Sequence, residues 1–430
     1  MLSAEAKETA AVAPAQHASF FRQSGWLMIA NVAGGVFMWA VHFLSKSVGP
    51  GEYGVFVACL GAAMVVPSIP LQMVLTQQTA KAIATHRERE LRGMIQLVWI
   101  ATFLLWLVGA FVVLLFQETI MRRWHISSPG ALWVTLPAIL LSLWMYLFFG
   151  VLQGQQSFMW LGWSMMLNGV GRLTGASIAV LALGGLATGM LSGVLCGLML
   201  AVGIAIWNTK SLWFGPSSPF DWRALLRQIV PLMLGFAAFQ FLFTADIMFA
   251  ESYFEHDTAG FYGSAGTLSR ALMWLVGPLA AVMFPKIVHS AAKSEKSNLM
   301  GMVILGTGIL AVVGAISLSL LGPWIVQLVS GAKFVKMASS LLPWYSAAMV
   351  PLALANVLLN DLLARSVFKV VPGLCLLAPA YGFALTRFHD TPITMLKTMA
   401  LFNTLLLLLC AWFSWRSKQS AEPSEKAQRA

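Results

Sequence analysis

The sequence predicts an all-α polytopic membrane protein with about twelve transmembrane helices in two pseudo-symmetric six-helix lobes. Three observations carry this. The chain is 59% hydrophobic and 10% charged, whereas soluble domains carry about 25% charged residues. Apolar runs of about 20 residues, long enough to cross a hydrocarbon core as helices, recur from Ser24 to Ser414. Stretches such as Ile100 to Phe116 are apolar on every face, which excludes the alternating strands of a β-barrel.

The first element, residues 1–22, is Ala-rich and polar and lacks the apolar core and cleavage site of a signal peptide, so a cytoplasmic tail is expected. The first lobe, 23–208, holds spans at 24–45, 53–80, 94–116, 131–152, 159–181 and 184–207. A cytoplasmic linker follows at 209–228. The second lobe, 229–415, holds spans at 229–250, 259–288, 299–321, 339–363, 370–386 and 394–415, and a basic tail occupies 416–430. With the N-terminus inside, the inner segments hold 18 Lys and Arg, among them Arg87, Arg89, Arg92 and Arg223. The outer segments hold 7: Lys46, Arg122, Arg123, Lys333, Lys336, Arg387 and Lys397. That bias places both termini in the cytoplasm. It also accounts for the net charge of +11 without nucleic acid.

The halves repeat. Tyr53-Gly54 opens the second span and Tyr262-Gly263 the eighth, 209 residues later, and prolines follow in each (Pro67 and Pro70; Pro278 and Pro285). The turn Leu152-Gln-Gly-Gln-Gln-Ser-Phe158 corresponds to Leu362-Leu-Ala-Arg-Ser-Val-Phe368, 210 residues on. Two short matches agree on one offset, and six spans per half give both halves the same orientation.

Charge in a bilayer costs roughly 2.5–3.5 kcal/mol per side chain at mid-helix, so each intramembrane charge needs an account. Arg172 lies inside the fifth span among small residues, Asn168-Gly-Val-Gly-Arg-Leu-Thr-Gly175. A guanidinium that forks onto phosphate oxygens suits an anionic group, while capping a neighbouring helix is the structural alternative. Asp246 and Arg270 fall at comparable depths on consecutive antiparallel spans. They are read either as a registering ion pair or as a carboxylate for coupling to protons or sodium beside an anion-binding arginine. Asn31, Asn168 and Gln240, with Asn356 and Asn360, are intramembrane amides that hydrogen-bond sugars or join helices. His42 and Lys46 approach the outer end of the first span. Cys59, Cys196, Cys375 and Cys410 lie in apolar spans at no redox or metal spacing and read as small core residues. No metal or cofactor is expected.

Other classes are disfavoured in turn. No G-x-x-x-x-G-K-S/T segment supports direct ATP use. The connecting segments are too short for a soluble catalytic domain, and the acidic group Glu251, Glu255 and Asp257 on the short turn after the seventh span reads as a solvated loop. A membrane polymerase or ligase is thereby disfavoured, and no enzyme is expected.

On these residues the sequence resembles the polysaccharide transporter or oligosaccharide flippase family, a branch of the multidrug, oligosaccharidyl-lipid and polysaccharide exporter superfamily. The resemblance is carried by Ser47-Val-Gly-Pro-Gly-Glu-Tyr-Gly-Val-Phe56, by Leu152 to Phe158, and by Asp246 followed by Ala259-Gly-Phe-Tyr-Gly-Ser-Ala-Gly266 and Arg270. It implies two lobes in a V that open alternately to either side of a bacterial inner membrane. The implied substrate is a polyprenyl-diphosphate-linked oligosaccharide, and membrane lipids and polysaccharide assembly proteins are the expected partners. The related lipid II flippases usually have fourteen spans, two more than are found here. A multidrug extruder is the closest rival, yet the predicted spans of the first half contain no Asp or Glu.

Overall fold

The computed structural model describes residues 25–292 and 299–429. The predicted tail at 1–22 and the loop lysines Lys293 and Lys296 lie outside the described residues. No strand occurs among the described residues. In chain order the helices are α1 Gly25–Val48, α2 Pro50–Val65, α3 Ile69–Ala84, α4 Glu88–Leu115, α5 Gln117–Arg123, α6 Gly130–Gly154, α7 Phe158–Ala182 and α8 Leu186–Trp213. They continue with α9 Trp222–Tyr253, α10 His256–Ala292, α11 Leu299–Leu320, α12 Gly322–Val329, α13 Ala332–Ala364, α14 Val371–Arg387 and α15 Pro392–Arg429. Among the described residues 11 spans are long and apolar enough to cross a membrane, and each overlaps one predicted span. The predicted eighth span falls within α10. The protein is an all-helical, multi-pass membrane protein.

Lipid rather than water is the solvent of the helix faces. On α4, Leu105, Val108, Phe111 and Leu115 are exposed, and on α11 Met302, Leu305, Ile309 and Ile316 are exposed at helical spacing. Apolar stripes of that extent are not tolerated in water.

Packing divides the chain into two compact units that are discontinuous in sequence. Of the described residues, the first contains those up to His42, Ser68–Leu115 and Trp133–Leu226; the second contains Phe43–Pro67, Phe116–Leu132 and those from Arg227 onward. The second span is broken between α2 and α3, where Val66 is extended and Pro67 lies in the gap with Pro70 in the first turn of α3. A proline ring and its missing N–H explain the break. The matching prolines Pro278 and Pro285 do not interrupt α10.

The sequence repeat has local structural counterparts. At the first anchor the two glycine-tyrosine turns pack on each other within the second unit. A Cβ on Gly260 would meet the Pro50 carbonyl oxygen at 1.8 Å, so only glycine permits α10 to approach α2 this closely. At the second anchor Gln156 and Ser366, 210 residues apart, both take φ = 58°. The next N–H in each turn reaches back five residues, Ser157 to the Leu152 carbonyl and Val367 to the Leu362 carbonyl, both at 2.9 Å. Each turn thereby closes its helix with a left-handed residue. A third correspondence was not anticipated: the segment around Arg122, expected as a loop, is the short helix α5 after α4, and α12 follows α11 in the same way. The basic tail at 416–430 continues α15 as helix to Arg429.

Candidate functional site

Within the first unit the backbone of α7 is clamped on two sides. On α8, Gly193 and Gly197 are one turn apart, and a Cβ at these positions would lie 2.5 Å from the Arg172 carbonyl oxygen and 2.2 Å from that of Asn168, respectively. On the α1 side, a Cβ on Gly169 would lie 2.3 Å from the Gly34 carbonyl oxygen. Small residues at four-residue spacing let membrane helices touch backbone to backbone. The segment carrying Arg172 is therefore fixed through its main chain, and its side chain is not needed for registry.

Arg172 is half-buried and its Nε is buried without a hydrogen-bond partner. Among the described residues it forms no ion pair with a carboxylate. His42, buried on α1, lies within electrostatic reach of it. Asn168, one turn before Arg172, is buried and directs its amide at two sulfurs, Met145 Sδ at 3.4 Å and Met38 Sδ at 3.6 Å. Thioether sulfur is a weak acceptor, so this amide keeps most of its hydrogen-bonding capacity. Asn31 on α1 is exposed. The structure thus places Arg172, Asn168 and Asn31 in one unit, with Arg172 the only one of the three that carries charge.

The second unit holds a different arrangement. Asp246 on α9 is fully buried, and its Oδ1 accepts a hydrogen bond from Arg270 Nη2 at 2.6 Å. Arg270 on α10 also donates from Nε and Nη2 to the Phe243 carbonyl at 2.9 and 2.8 Å. The second carboxylate oxygen, Asp246 Oδ2, accepts from Tyr262 Oη at 3.1 Å and from Tyr345 Oη on α13. The guanidinium lies 5.3 Å from the ring centres of both Phe243 and Tyr345. Three helices are thereby tied through one carboxylate. Charge-assisted bonds on Nε, Nη2 and both carboxylate oxygens make the buried pair tolerable, with Arg270 Nη1 left without a hydrogen-bond partner.

The sequence anticipated the Asp246 and Arg270 meeting but not the tyrosines. A signal existed: the chain has 6 tyrosines, and four of them, Tyr53, Tyr262, Tyr345 and Tyr381, are among the largest fully buried side chains. A buried phenol draws a hydrogen-bond partner in most cases. Tyr53 finds one in Thr267 Oγ1 at 3.2 Å, whereas the Tyr381 hydroxyl is buried without one.

The other anticipated residues are distributed elsewhere. Gln240 donates to the Met64 carbonyl at 3.0 Å, capping the end of α2 beside the break. Asn360 donates to the Asn356 carbonyl at 2.8 Å, within its own helix. Lys46 is exposed and stacks over Phe43. Cys59 and Cys410 are buried, Cys196 and Cys375 half-buried, and all four are free thiols. One expectation is overturned: Glu251, read as part of a solvated acidic turn, is 1% exposed. It falls in the last turn of α9, which extends three residues beyond the predicted span end and turns this side chain inward.

The fold and sequence have known relatives. The profile of the polysaccharide biosynthesis protein family matches residues 20–291. No curated protein sequence is similar enough to count as a match. Among solved structures, an inward-facing multidrug resistance MATE family transporter of the MOP superfamily superposes with a TM-score of 0.72 at 14% identity, over 90% of this chain and 95% of its own. The lipid II flippase MurJ in an inward closed conformation gives 0.68 at 13% identity, over 91% of this chain and 87% of its own. MATE in a straight conformation gives 0.61 at 13% identity, over 93% of this chain and 95% of its own. At such identities the likeness is one of fold, and it is the family profile, spanning well over half the sequence, that makes this chain a member of the polysaccharide biosynthesis protein family.

Proposed function

We propose that this protein is a transporter that moves a polyprenyl-diphosphate-linked oligosaccharide from the cytoplasmic to the periplasmic leaflet of a bacterial inner membrane by alternating access. In this reading it serves cell-surface polysaccharide synthesis and is not an enzyme. The lobes are 23–208 and 229–415 with the linker at 209–228, and both termini face the cytoplasm. Its partners are the lipid-linked glycan, membrane lipids and polysaccharide assembly proteins, with no nucleic acid.

The observation that carries the reading is Arg172: a half-buried guanidinium within a membrane span, without a carboxylate partner among the described residues, on a helix whose registry is held by glycine packing. An arginine kept at that cost and not used for structure is suited to an anion, and a diphosphate offers the oxygens it needs. Family membership and the fold shared with a lipid II flippase support the same substrate class. Asn168 and Asn31 are the amides assigned to the glycan on the same unit, and Gln240 the one on the other. Asp246 is the group assigned to proton or sodium coupling, with Arg270 as its partner and a secondary anion contact.

A second reading, cation-coupled export of a multidrug-type solute, is favoured by the buried carboxylate Asp246 and by the likeness to MATE transporters. Proteoliposomes loaded with a fluorescent polyprenyl-diphosphate oligosaccharide separate the two. Translocation above protein-free vesicles is expected, falling about tenfold or more in Arg172→Ala, the range for losing a charged hydrogen bond. Normal rates in that variant overturn the assignment of Arg172. Absence of translocation across several glycans and imposed gradients overturns the flippase in favour of the exporter.

A further inference from the structure

At one end of the second unit, three chain-distant residues converge without being part of either arrangement described above. His125 follows α5, Glu251 lies in the last turn of α9 and His256 begins α10. Each offers one ligand atom, and the three atoms lie within 4.8 Å of one another.

Glu251 makes the cluster more than a chance meeting of polar groups. It is 1% exposed, and both Oε1 and Oε2 are buried without a hydrogen-bond partner. His256 Nδ1 lies 3.6 Å from Oε1, in ion-pair range but too far for a hydrogen bond, and is itself buried without a partner. A carboxylate that loses water and gains no donor costs several kcal/mol, so the group must be neutralised, by a proton or by a bound cation. A protonated His256 would supply charge, yet it would then leave its Nδ1 proton unbonded.

The backbone is shaped to admit these side chains. A Cβ on Gly51 would lie 2.0 Å from His256 Cδ2, and one on Gly54 would lie 2.5 Å from Glu251 Oε2. Two glycines at the start of α2 therefore leave the space that the imidazole and the carboxylate fill. The neighbouring polar groups are already engaged elsewhere: Glu52 accepts from Ser127 Oγ at 2.8 Å, and Asp257 accepts from the Gly51 N–H at 3.2 Å. His125 is exposed, which gives an ion a way in from solvent.

We infer that His125, Glu251 and His256 form a binding site for a zinc-class divalent transition-metal ion. Two imidazoles and one carboxylate are the ligands such an ion prefers, whereas magnesium and calcium seek oxygen-only shells. Zinc bonds of about 2.0–2.2 Å place ligand atoms roughly 3.3 Å from one another, so the three side chains would draw in from their present spread on binding. The ion would join the segment before α6 to the α9–α10 turn, tying an N-terminal-half loop to the first helices of the C-terminal half within one unit. None of the three residues is assigned to the transported substrate, so the site stands whether or not the proposed function does.

The test uses the full-length protein, purified in detergent with any affinity tag removed and stripped with chelator. Zinc is titrated calorimetrically, and cobalt is added separately to read visible absorption. One equivalent of zinc is expected, with cobalt giving the intense absorption of a four-coordinate centre. Affinity should fall about tenfold or more in Glu251→Gln and in His125→Ala, since losing a direct ligand costs at least as much as losing a group that merely supports one. His125 is exposed, so that variant keeps its fold even if Glu251→Gln does not. His389→Ala, at a histidine stacked on Tyr253 outside the cluster, should bind as the parent does. Absence of stoichiometric zinc binding overturns the inference. So does binding that survives both His125→Ala and His256→Ala, or a preference for calcium or magnesium over zinc.

Discussion

Two arginines inside the membrane, Arg172 on α7 and Arg270 on α10, have opposite surroundings. Arg270 is held by its side chain: three hydrogen bonds to Phe243 and Asp246, two aromatic faces, and a carboxylate shared with Tyr262 and Tyr345. Arg172 is held by its main chain, through glycines of α8 and α1, while its Nε lacks a partner. The difference teaches how to sort intramembrane charge. Where neighbouring groups satisfy the charge, removing it costs stability; where the packing would persist without it, the charge must be retained for another reason. Unfolding in detergent micelles, with helix content as the readout, turns this contrast into a ranked series.

The largest loss is expected at Asp246. Asp246→Ala leaves Arg270 buried and uncompensated and should destabilise by about 3–5 kcal/mol. The double change of Asp246→Leu with Arg270→Met should recover most of that, because an apolar pair of similar volume replaces the ion pair without an orphaned charge. A single variant that unfolds like the parent would break the contrast at its stronger end. Tyr345→Phe is expected next, about 1.5–3 kcal/mol, since one donor to a charged acceptor is lost while Tyr262 and Arg270 remain. If Tyr345→Phe cost as much as Asp246→Ala, the network would depend on the phenol rather than on the ion pair.

In the first unit the sensitive positions should be the glycines. Gly197→Ala places a methyl 2.2 Å from the Asn168 carbonyl oxygen, a backbone atom that cannot rotate away. The cost should be about 1–3 kcal/mol of overpacking. Little or no cost would mean that α7 and α8 separate easily, and that Arg172 needs its side chain for position after all.

How much of this was legible beforehand follows from what each signal measures. Run length and apolarity reported the spans because a bilayer imposes one thickness on every helix. The turns at Gln156 and Ser366 were legible as a pair since the same local chain reversal recurs at the same offset. Asp246 and Arg270 could be matched because depth along antiparallel spans is countable. Rotation about each helix axis is not countable from composition, and that is where reading failed. Tyr262 stood out only as an anchor of the repeat and Tyr345 not at all, so neither phenol was matched to Asp246, and Glu251 was placed in solvent because the α9 boundary was set a few residues early. His125, Glu251 and His256 are separated by up to 131 positions, 256 minus 125, so no local spacing could have joined them.

The smallest expected change in stability is the most informative one. Arg172→Ala removes a buried donor that has no acceptor, together with the apolar part of a long side chain. The first gain and the second loss oppose each other. Clamping of the α7 backbone by Gly193, Gly197 and Gly34 is unaffected, because those contacts are to main-chain atoms. The net effect should therefore stay within about 1 kcal/mol in either direction, as for substitutions that break no network. Arg172→Lys should be equally stable while failing to restore the transport lost in Arg172→Ala, since an ammonium offers no planar fork to two phosphate oxygens. If Arg172→Ala instead destabilised the protein as Asp246→Ala is expected to, Arg172 would be structural, and the primary anion contact would have to be sought elsewhere.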